Sequence, residues 1–449
     1  MPRRSSPRSP SRSGSPSRRS GPEEAVSGHW RRLSLRAWVL VLAGVVGVLL
    51  LLRLLGGEDV ARLQGRAEAA AQTSDWATAL ELWRRINTTV GATSTTYLGE
   101  GRACLALGRA AQAERALRKA AAAAPSESEA WLLLLEVMRV EDRPVDAFTL
   151  GWKALDNVLP EARPQLLREL TLAALTDLPD DLARSTLKRW IDADSGDVDA
   201  RVALLRRIGA EPRADDPDRE SRLVQLRDLL ASHPEHVDAR EALVAALADA
   251  GEPERGRKFL ETWPLEQRDG RFWRLRGRWD LEHDHRPDQA VTALRAALAD
   301  FPQDWRIHYR LARALQIVNR PEEARREAET VGRIRELLDP LTLGPKLDAV
   351  FSHLDEPAAF ATLANLCARA GLTRLAGVWR TAGTPAVGRS PMSQVPRLTG
   401  CRFADACNGI PDRLPVGRPG LPRNNKADGK ETLTGLSATK CHPGLAVLV

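Results

Sequence analysis

Residues 94–127 of the 449-residue chain read STTYLGEGRACLALGRAAQAERALRKAAAAAPSE, and they form one period of a pattern that recurs every 34 residues. In three successive units the fourth position is large, the eighth is small or apolar, and the twentieth is alanine. The residues concerned are, in that order, Leu63, Tyr97 and Trp131; Ala67, Gly101 and Leu135; and Ala79, Ala113 and Ala147. A fixed period predicts a helical repeat array. A generic bundle rich in alanine and leucine would give amphipathic helices without a common phase.

The pattern extends along most of the chain. Units begin at residues 60, 94 and 128, and again near 164, 198, 237, 271 and 305. Each unit is predicted to be two amphipathic helices joined by a polar turn, with small residues at positions 8 and 20 where the helices touch. Proline at position 32 ends the second helix. Because each pair would bury its apolar face only against its neighbours, the sequence predicts an extended, elastic array.

These positions resemble the tetratricopeptide repeat family over residues 57–333. A divergent helical pair is expected at 334–383, where LANLCARAGLTRLAGVWRTA repeats the spacing. The resemblance, to a membrane-anchored bacterial type, implies an all-α fold: an α-solenoid of tetratricopeptide-type helix pairs with a concave groove. It also implies that the groove binds a protein or peptide, and that positions 2, 5, 9, 12 and 13 of each first helix face it.

Arginine and aromatic side chains at these groove positions are the candidate partner-binding residues, because such side chains often anchor protein interfaces. The candidates are Arg102, Glu136, Arg206, Arg306, Tyr309 and Arg313. The alternative for each is an ordinary solvated helix surface. The carboxylate-clamp subfamily also places asparagines in the groove. They are missing from the matching positions, so that specificity is not expected.

An apolar segment precedes the repeats. Sixteen residues from Ala37 to Leu52, AWVLVLAGVVGVLLLL, carry no charge, and a helix continued to Leu55 would be roughly 28 Å long. This predicts a transmembrane anchor at 35–56 that contacts the lipid bilayer. A cleaved signal peptide is the alternative, but more than 30 residues precede the apolar run and no small-residue cleavage site follows it.

The basic charge of the chain is confined to its N-terminus. Residues 1–36 contain nine arginines and two glutamates, which account for the whole net charge of +7. The rest of the chain therefore gives no electrostatic reason to expect nucleic-acid binding, although the Arg/Ser composition faintly resembles RNA-processing segments. Residues 1–34 are predicted to be a disordered cytoplasmic tail, with the repeats outside the cytoplasm, periplasmic in a bacterium. Residues 384–449 are predicted to be a second disordered tail, or a truncated end.

Catalytic motifs are absent from the sequence. It lacks the phosphate-binding, nucleophile-elbow, zinc-protease and dinucleotide patterns, so neither an enzyme nor a cofactor is expected. Glu282-His283-Asp284-His285 has metal-ligand character but falls where a solvated turn is predicted. Cys104 and Cys367 share a position that should be buried. The predicted function is a membrane-anchored interaction scaffold; the alternative is a recruiting module of an envelope enzyme system, or a protein that has lost a C-terminal domain.

Overall fold

The computed structural model describes residues 60–209 and 218–383, and within these ranges the chain is all-α, without a strand. The α-helices, numbered in chain order, are α1 (Val60–Gln72), α2 (Trp76–Ile86), α3 (Ser94–Ala106), α4 (Ala110–Ala123), α5 (Glu129–Val140), α6 (Pro144–Asn157), α7 (Arg163–Leu175), α8 (Asp180–Ala193), α9 (Val198–Gly209), α10 (Arg219–Ser232), α11 (Val237–Asp249), α12 (Pro253–Glu261), α13 (Gly270–Glu282), α14 (Pro287–Ala297), α15 (Trp305–Ile317), α16 (Pro321–Leu337), α17 (Pro340–Phe351), α18 (Pro357–Arg369) and α19 (Thr373–Ala382). Shorter helical turns lie at Asn87–Gly91, Pro160–Ala162 and Leu265–Gln267. The odd-numbered helices from α1 to α15 begin within one residue of the eight predicted unit starts, which confirms the repeat phase.

The turn inside most helix pairs contains a residue in the left-handed backbone conformation. Asp142, His285 and Asn319 have φ angles of 52°, 52° and 57°, and the last two are one repeat apart. Such a residue ends the first helix and lets the chain fold back. The amide that follows Asp142 then donates to the carbonyl of Met138 at 2.9 Å. The polar residues predicted for these turns are thus explained by backbone geometry.

The two helices of a regular pair approach closely where the sequence places small residues. A Cβ atom added to Gly101 would lie 2.6 Å from Cδ2 of Leu117, and one added to Gly277 would lie 2.5 Å from Cγ of Leu294. Ala113 and Ala147, at position 20, are fully buried. The predicted seam is therefore confirmed at both of its small positions.

Substituting tryptophan for Ala113 should destabilise the array by about 1–3 kcal/mol or more, because the seam has no room for an indole ring. Ala147→Trp should behave in the same way. Urea denaturation followed by far-ultraviolet circular dichroism measures the loss. Arg115→Trp is the matched control, since Arg115 is exposed on the same helix, and it should change stability by less than about 0.5 kcal/mol. Equal stability of the three variants would contradict the packing described for this seam.

The unit predicted to begin near 164 departs from the regular pairing. Helix α8 packs on α9 and α5, and among the described helices it makes little contact with α7. Thr176, at the end of α7, has φ and ψ angles of −131° and 140°, so the chain leaves the helix extended. Pro179 precedes α8, and proline disfavours a helical conformation at the residue before it. This connection therefore does not make the tight reversal found between α5 and α6 or between α13 and α14, and the predicted pair at 164 is wrong.

Contacts between distant parts of the chain contradict the expectation that each pair touches only its neighbours. Helix α19 packs on α7, and Nε1 of Trp379 donates to Oγ1 of Thr171 at 2.9 Å. The guanidinium of Arg374 lies 4.0 Å from the ring centre of Trp152. One apolar cluster joins buried residues between 80 and 203 with others between 337 and 379. The C-terminal helices thus close back onto the middle of the array.

Several predicted segments lie outside the described residues. They are the tail at 1–34, the membrane anchor at 35–56 and the tail at 384–449. Within the described ranges, no helix combines the length and the apolar composition that a bilayer span requires. The boundary predicted at residue 334 falls inside α16, whose residues run from Pro321 to Leu337.

Candidate functional site

The first helices of the later repeats lie next to one another, and rows of charged residues follow the neighbouring faces of α11 and α13. Helix α13 contacts both α11 and α15. Carboxylates on α11 pair with arginines that follow one side of α13 at helical spacing. The pairs are Arg271 with Asp238 at 3.0 Å, Arg274 with Glu241, and Arg278 with Asp249 at 2.8 Å. We call these six residues the charge ladder.

The charge ladder is partly buried, which strengthens the mutual attraction of its charges. Burial alone would raise the pKa of Asp238, but the guanidinium groups of Arg206 and Arg271 outweigh burial and hold the pKa below its ordinary value. Burial would likewise lower the pKa of Arg274, and the carboxylates of Glu241 and Asp304 raise it instead. Asp238 and Arg274 are therefore charged at neutral pH.

Helix α15 presents a different face at the same positions. Arg306, Tyr309, Arg313 and Ile317 follow one another at helical spacing along one side of the helix, and all four are exposed. Tyr309 is 50% exposed and Ile317 is 62% exposed, which is unusual for large apolar side chains in this chain. We call these four residues the α15 stripe.

The structure brings three of the six predicted partner-binding residues together. Arg306, Tyr309 and Arg313 all belong to the α15 stripe. Arg102, on α3, forms an ion pair with Glu129 and is half-exposed. Glu136 is half-buried on α5. The partner-binding role of each of the six residues stays a prediction.

Arg206 lies inside the fold and does not face open solvent. Its Nη2 donates to the carbonyl oxygens of Glu141 at 3.2 Å and Asp142 at 2.9 Å, and its side chain is 18% exposed. It lines a small cavity of about 60 Å³ with Asp238, Glu241, Arg271 and Phe301. That volume has room for ordered water and is far below the roughly 300–1,000 Å³ of a typical small-molecule site.

A second buried charge cluster surrounds Arg143, in the turn between α5 and α6. Its Nη1 donates to Glu114 at 2.9 Å and to Glu141 at 2.8 Å, and its Nε donates to Asp146 at 3.0 Å. Asp199, on α9, lies 3.6 Å from Nε. The Arg143 side chain is 9% exposed. A single guanidinium therefore contacts carboxylates of two consecutive repeat units and of a third unit that is more distant in sequence.

Potential metal ligands lie close together where these two clusters meet. Ligand atoms of Asp199, His236 and Asp238 all fall within 4.8 Å of one another. Nδ1 of His236 accepts from the amide of Ala239 at 3.2 Å, so the ring proton is on Nε2, which faces Asp199 at 3.2 Å. Asp238 already pairs with Arg271. The arrangement thus fits a network of ion pairs and hydrogen bonds in which arginines supply the positive charge.

The turn at 282–285 is less solvated than the sequence predicts. The Asp284 side chain is 3% exposed and forms ion pairs with Arg257 and Arg286. His283 packs on Trp279 with ring centres 5.1 Å apart, and His285 adopts the left-handed turn conformation. The expectation of a solvated turn is therefore wrong for Asp284, because arginines of α12 and of the turn neutralise it in place.

The two cysteines of the described residues are buried, as predicted. Cys104 and Cys367 are both fully inaccessible. Burial raises the pKa of the Cys104 thiol to about 11 and that of the Cys367 thiol to about 12. Both side chains therefore stay protonated near neutral pH and serve as small apolar groups of the core.

Comparison with known families agrees with this fold. Tetratricopeptide repeat profiles match residues 98–158, and also 223–278 and 282–335. The chain contains tetratricopeptide repeats. The stretch between the matched segments, 159–222, includes α7 and α8, where the regular pairing breaks down. No curated protein matches the sequence significantly.

The chain is also similar, at low sequence identity, to several solved structures. A tetratricopeptide repeat protein from Parabacteroides merdae is 14% identical, covers 58% of this chain and 100% of its own, and has a TM-score of 0.28. Human IFIT1, solved as a dimer with PPP-AAAA, is 15% identical over 66% of this chain and 69% of its own, with a TM-score of 0.32. Yeast Tom70 is 10% identical over 72% of this chain and 75% of its own, with a TM-score of 0.26.

Proposed function

We propose that this protein is an interaction scaffold whose repeats bind a partner protein through the first-helix face, with the α15 stripe as the principal contact. The observation that carries the proposal is the exposure of Tyr309 between Arg306 and Arg313, with the exposed Ile317 one turn beyond Arg313. Tyrosine and arginine are enriched at the energetic centres of protein interfaces. The corresponding faces of α11 and α13 are occupied by the charge ladder, which leaves α15 as the most accessible first-helix surface of this region.

We also propose that residues 35–56 anchor the scaffold in a lipid bilayer, with the N-terminus in the cytoplasm and the repeats on the opposite side. Sixteen uncharged residues favour insertion, and the arginines before them favour cytoplasmic retention of that end. Confinement to a membrane would raise the effective concentration of the scaffold near membrane-bound partners. Its work would then be binding rather than catalysis, which fits the protonated buried cysteines and the arginine-neutralised carboxylates.

Ala substitution of Arg313 and Tyr309 together should weaken partner binding by about 1–3 kcal/mol and leave helicity unchanged, because both side chains are exposed. A photo-cross-linking residue at position 309 in intact membranes identifies the partner, whose affinity is then measured with purified proteins. Arg325→Ala is the matched control, since Arg325 is 69% exposed on α16. Equal partner affinity for the control and the double variant would exclude the α15 stripe as the contact.

Deleting residues 35–55 should release the protein from membranes in a carbonate wash, whereas the full chain should remain in the pellet. The transfer free energy of the apolar segment greatly exceeds what electrostatic attachment of the tail supplies. A matched deletion of residues 2–22, which removes arginines but not the apolar run, should leave the protein in the pellet. Continued sedimentation of the 35–55 deletion would overturn the anchor proposal and leave the repeat-binding proposal standing.

A further inference from the structure

The charges along the first-helix face alternate between α11 and α13, and the alternation stops at α15. Helix α11 contributes carboxylates, and the arginines of α13 reach back to pair with them. Helix α13 offers Arg271, Arg274 and Arg278 along the same face, so α15 has no row of carboxylates to reach. Glu282, the last residue of α13, already accepts hydrogen bonds from Arg278 at 3.0 Å and from Arg310 at 2.9 Å.

The arginines of the α15 stripe accordingly remain without acidic partners. Within the part of the chain that the structure describes, neither Arg306 nor Arg313 forms an ion pair with a carboxylate. The Arg306 guanidinium lies instead over the Trp305 ring, 4.9 Å from its centre. Helix α17, the next in the chain after α16, packs on α18 and makes little contact with α15. The side of α15 that carries the stripe is therefore both uncovered and uncompensated.

From this pattern we infer that the partner bound by the α15 stripe is a protein segment that forms an acidic amphipathic helix. The inference rests on the proposed function and specifies the chemistry of its partner. Arg306 and Arg313 are seven residues apart, as are Arg271 and Arg278, whose carboxylate partners Asp238 and Asp249 are eleven residues apart on α11. The segment must therefore offer two carboxylates that both arginine side chains can reach, at a separation between about 10 and 16 Å along a helix. An apolar side chain between them would cover Tyr309, as a nucleic acid backbone would not.

The charge ladder supplies the template for a probe. Arg306 and Arg313 occupy the helical positions that Arg271 and Arg278 occupy on α13, and those arginines pair with Asp238 and Asp249. Glu241 would face Tyr309 and needs an apolar replacement. A fluorescein-labelled peptide that copies residues 234–252 with Glu241→Leu is thus the designed ligand, and the same peptide with Asp238→Lys and Asp249→Lys is its control.

Fluorescence anisotropy with the full-length protein in detergent tests the inference. The acidic peptide should bind saturably and at least about 30-fold more tightly than the lysine peptide. Arg306→Glu combined with Arg313→Glu should reverse that preference, while Arg325→Glu should leave it unchanged. Tyr309→Ala should weaken the acidic peptide by about 10-fold. Failure to discriminate between the two peptides would overturn the inference.

Three further outcomes separate this inference from the proposed function. A single-stranded DNA of about 18 nucleotides that binds as tightly as the acidic peptide, without dependence on Tyr309, would also overturn it in favour of a nucleic acid. Cross-linking at position 309 to a protein segment without acidic residues would refute the acidic-helix inference and sustain the scaffold function. Absence of any protein cross-link at position 309 would refute both the acidic-helix inference and the proposed binding of a partner through the α15 stripe.

Discussion

Replacing Arg143 by alanine is expected to lower the free energy of unfolding by about 3–5 kcal/mol, because it removes one partner from a buried ion cluster. Glu114, Glu141 and Asp146 would lose donors at 2.8 to 3.0 Å. Glu141 is fully enclosed, and its other oxygen already has no partner. Uncompensated carboxylates in such a site cost far more than a lost surface pair.

Arg118→Ala is the matched control for this substitution. Arg118 also pairs with Glu114, at 2.6 Å, but its side chain is 48% exposed. Exposed pairs contribute about 0–1 kcal/mol, so the control should retain nearly all of its stability. Equilibrium urea denaturation compares the variants, and Arg143→Ala combined with Glu141→Gln should recover part of the loss. A cost for Arg143→Ala no larger than for the control would show that the cluster does not hold the repeats together.

The cost of Arg143→Ala should also depend on pH. Burial raises the pKa of Glu141 well above its ordinary value, and Arg143 only partly opposes this effect. A raised folded-state pKa favours folding at low pH, and this contribution is lost as the pH rises through it. Without Arg143 the pKa rises further, so the cost should be greater at pH 8 than at pH 5. Asp199 and Asp238 have lowered pKa values, so their effect has the opposite sign. They stabilise the folded state at pH values above the ordinary aspartate pKa, and this contribution is lost as the pH falls.

The sequence predicts the repeats well because their signals are local. Small residues at positions 8 and 20 and turn residues such as Asn319 specify how each helix meets its own partner. The charge-ladder arginines of α13 are not identified from the sequence because the predicted unit start is off by one residue. A unit start at 271 places Trp279 at position 9, whereas the helix begins at Gly270, after the Asp269 cap, and position 9 is Arg278. A search for arginines opposite the acids of α11 could have found the charge ladder.

Contacts between distant repeats could not be predicted in the same way. The position of α19 against α7, and of the Arg143 turn against α9, depends on small rotations summed over many helix pairs. No single residue determines the total rotation between distant helix pairs. Arg206 illustrates the consequence, since its repeat position predicts a groove residue while the turn at 141–142 covers it. The exposure of Arg306, Tyr309 and Arg313 could be predicted from their repeat positions because no distant segment of the described chain covers them, whereas Ile317 was not among the predicted residues.

Replacing Trp379 by alanine is expected to cost about 3–5 kcal/mol, as is usual for a large buried aromatic side chain. Trp379 is fully buried, packs edge-on against Phe360 with ring centres 5.8 Å apart, and donates to Thr171. Trp379→Phe, which keeps most of the ring and loses the indole N–H, should cost much less. Thermal and urea denaturation measure both variants.

The same substitution distinguishes a closed array from an open one. In an open array, loss of the last helix would fray only α18 and α19, because each pair depends on its neighbours alone. In the closed array, α7 loses the helix that covers Thr171, so its amides should exchange faster with solvent although they lie about 200 residues away. Hydrogen exchange read by mass spectrometry over Arg163–Leu175 decides between the two. If the exchange protection of that segment in Trp379→Ala equals that of the wild type, α19 contacts α7 but does not stabilise it.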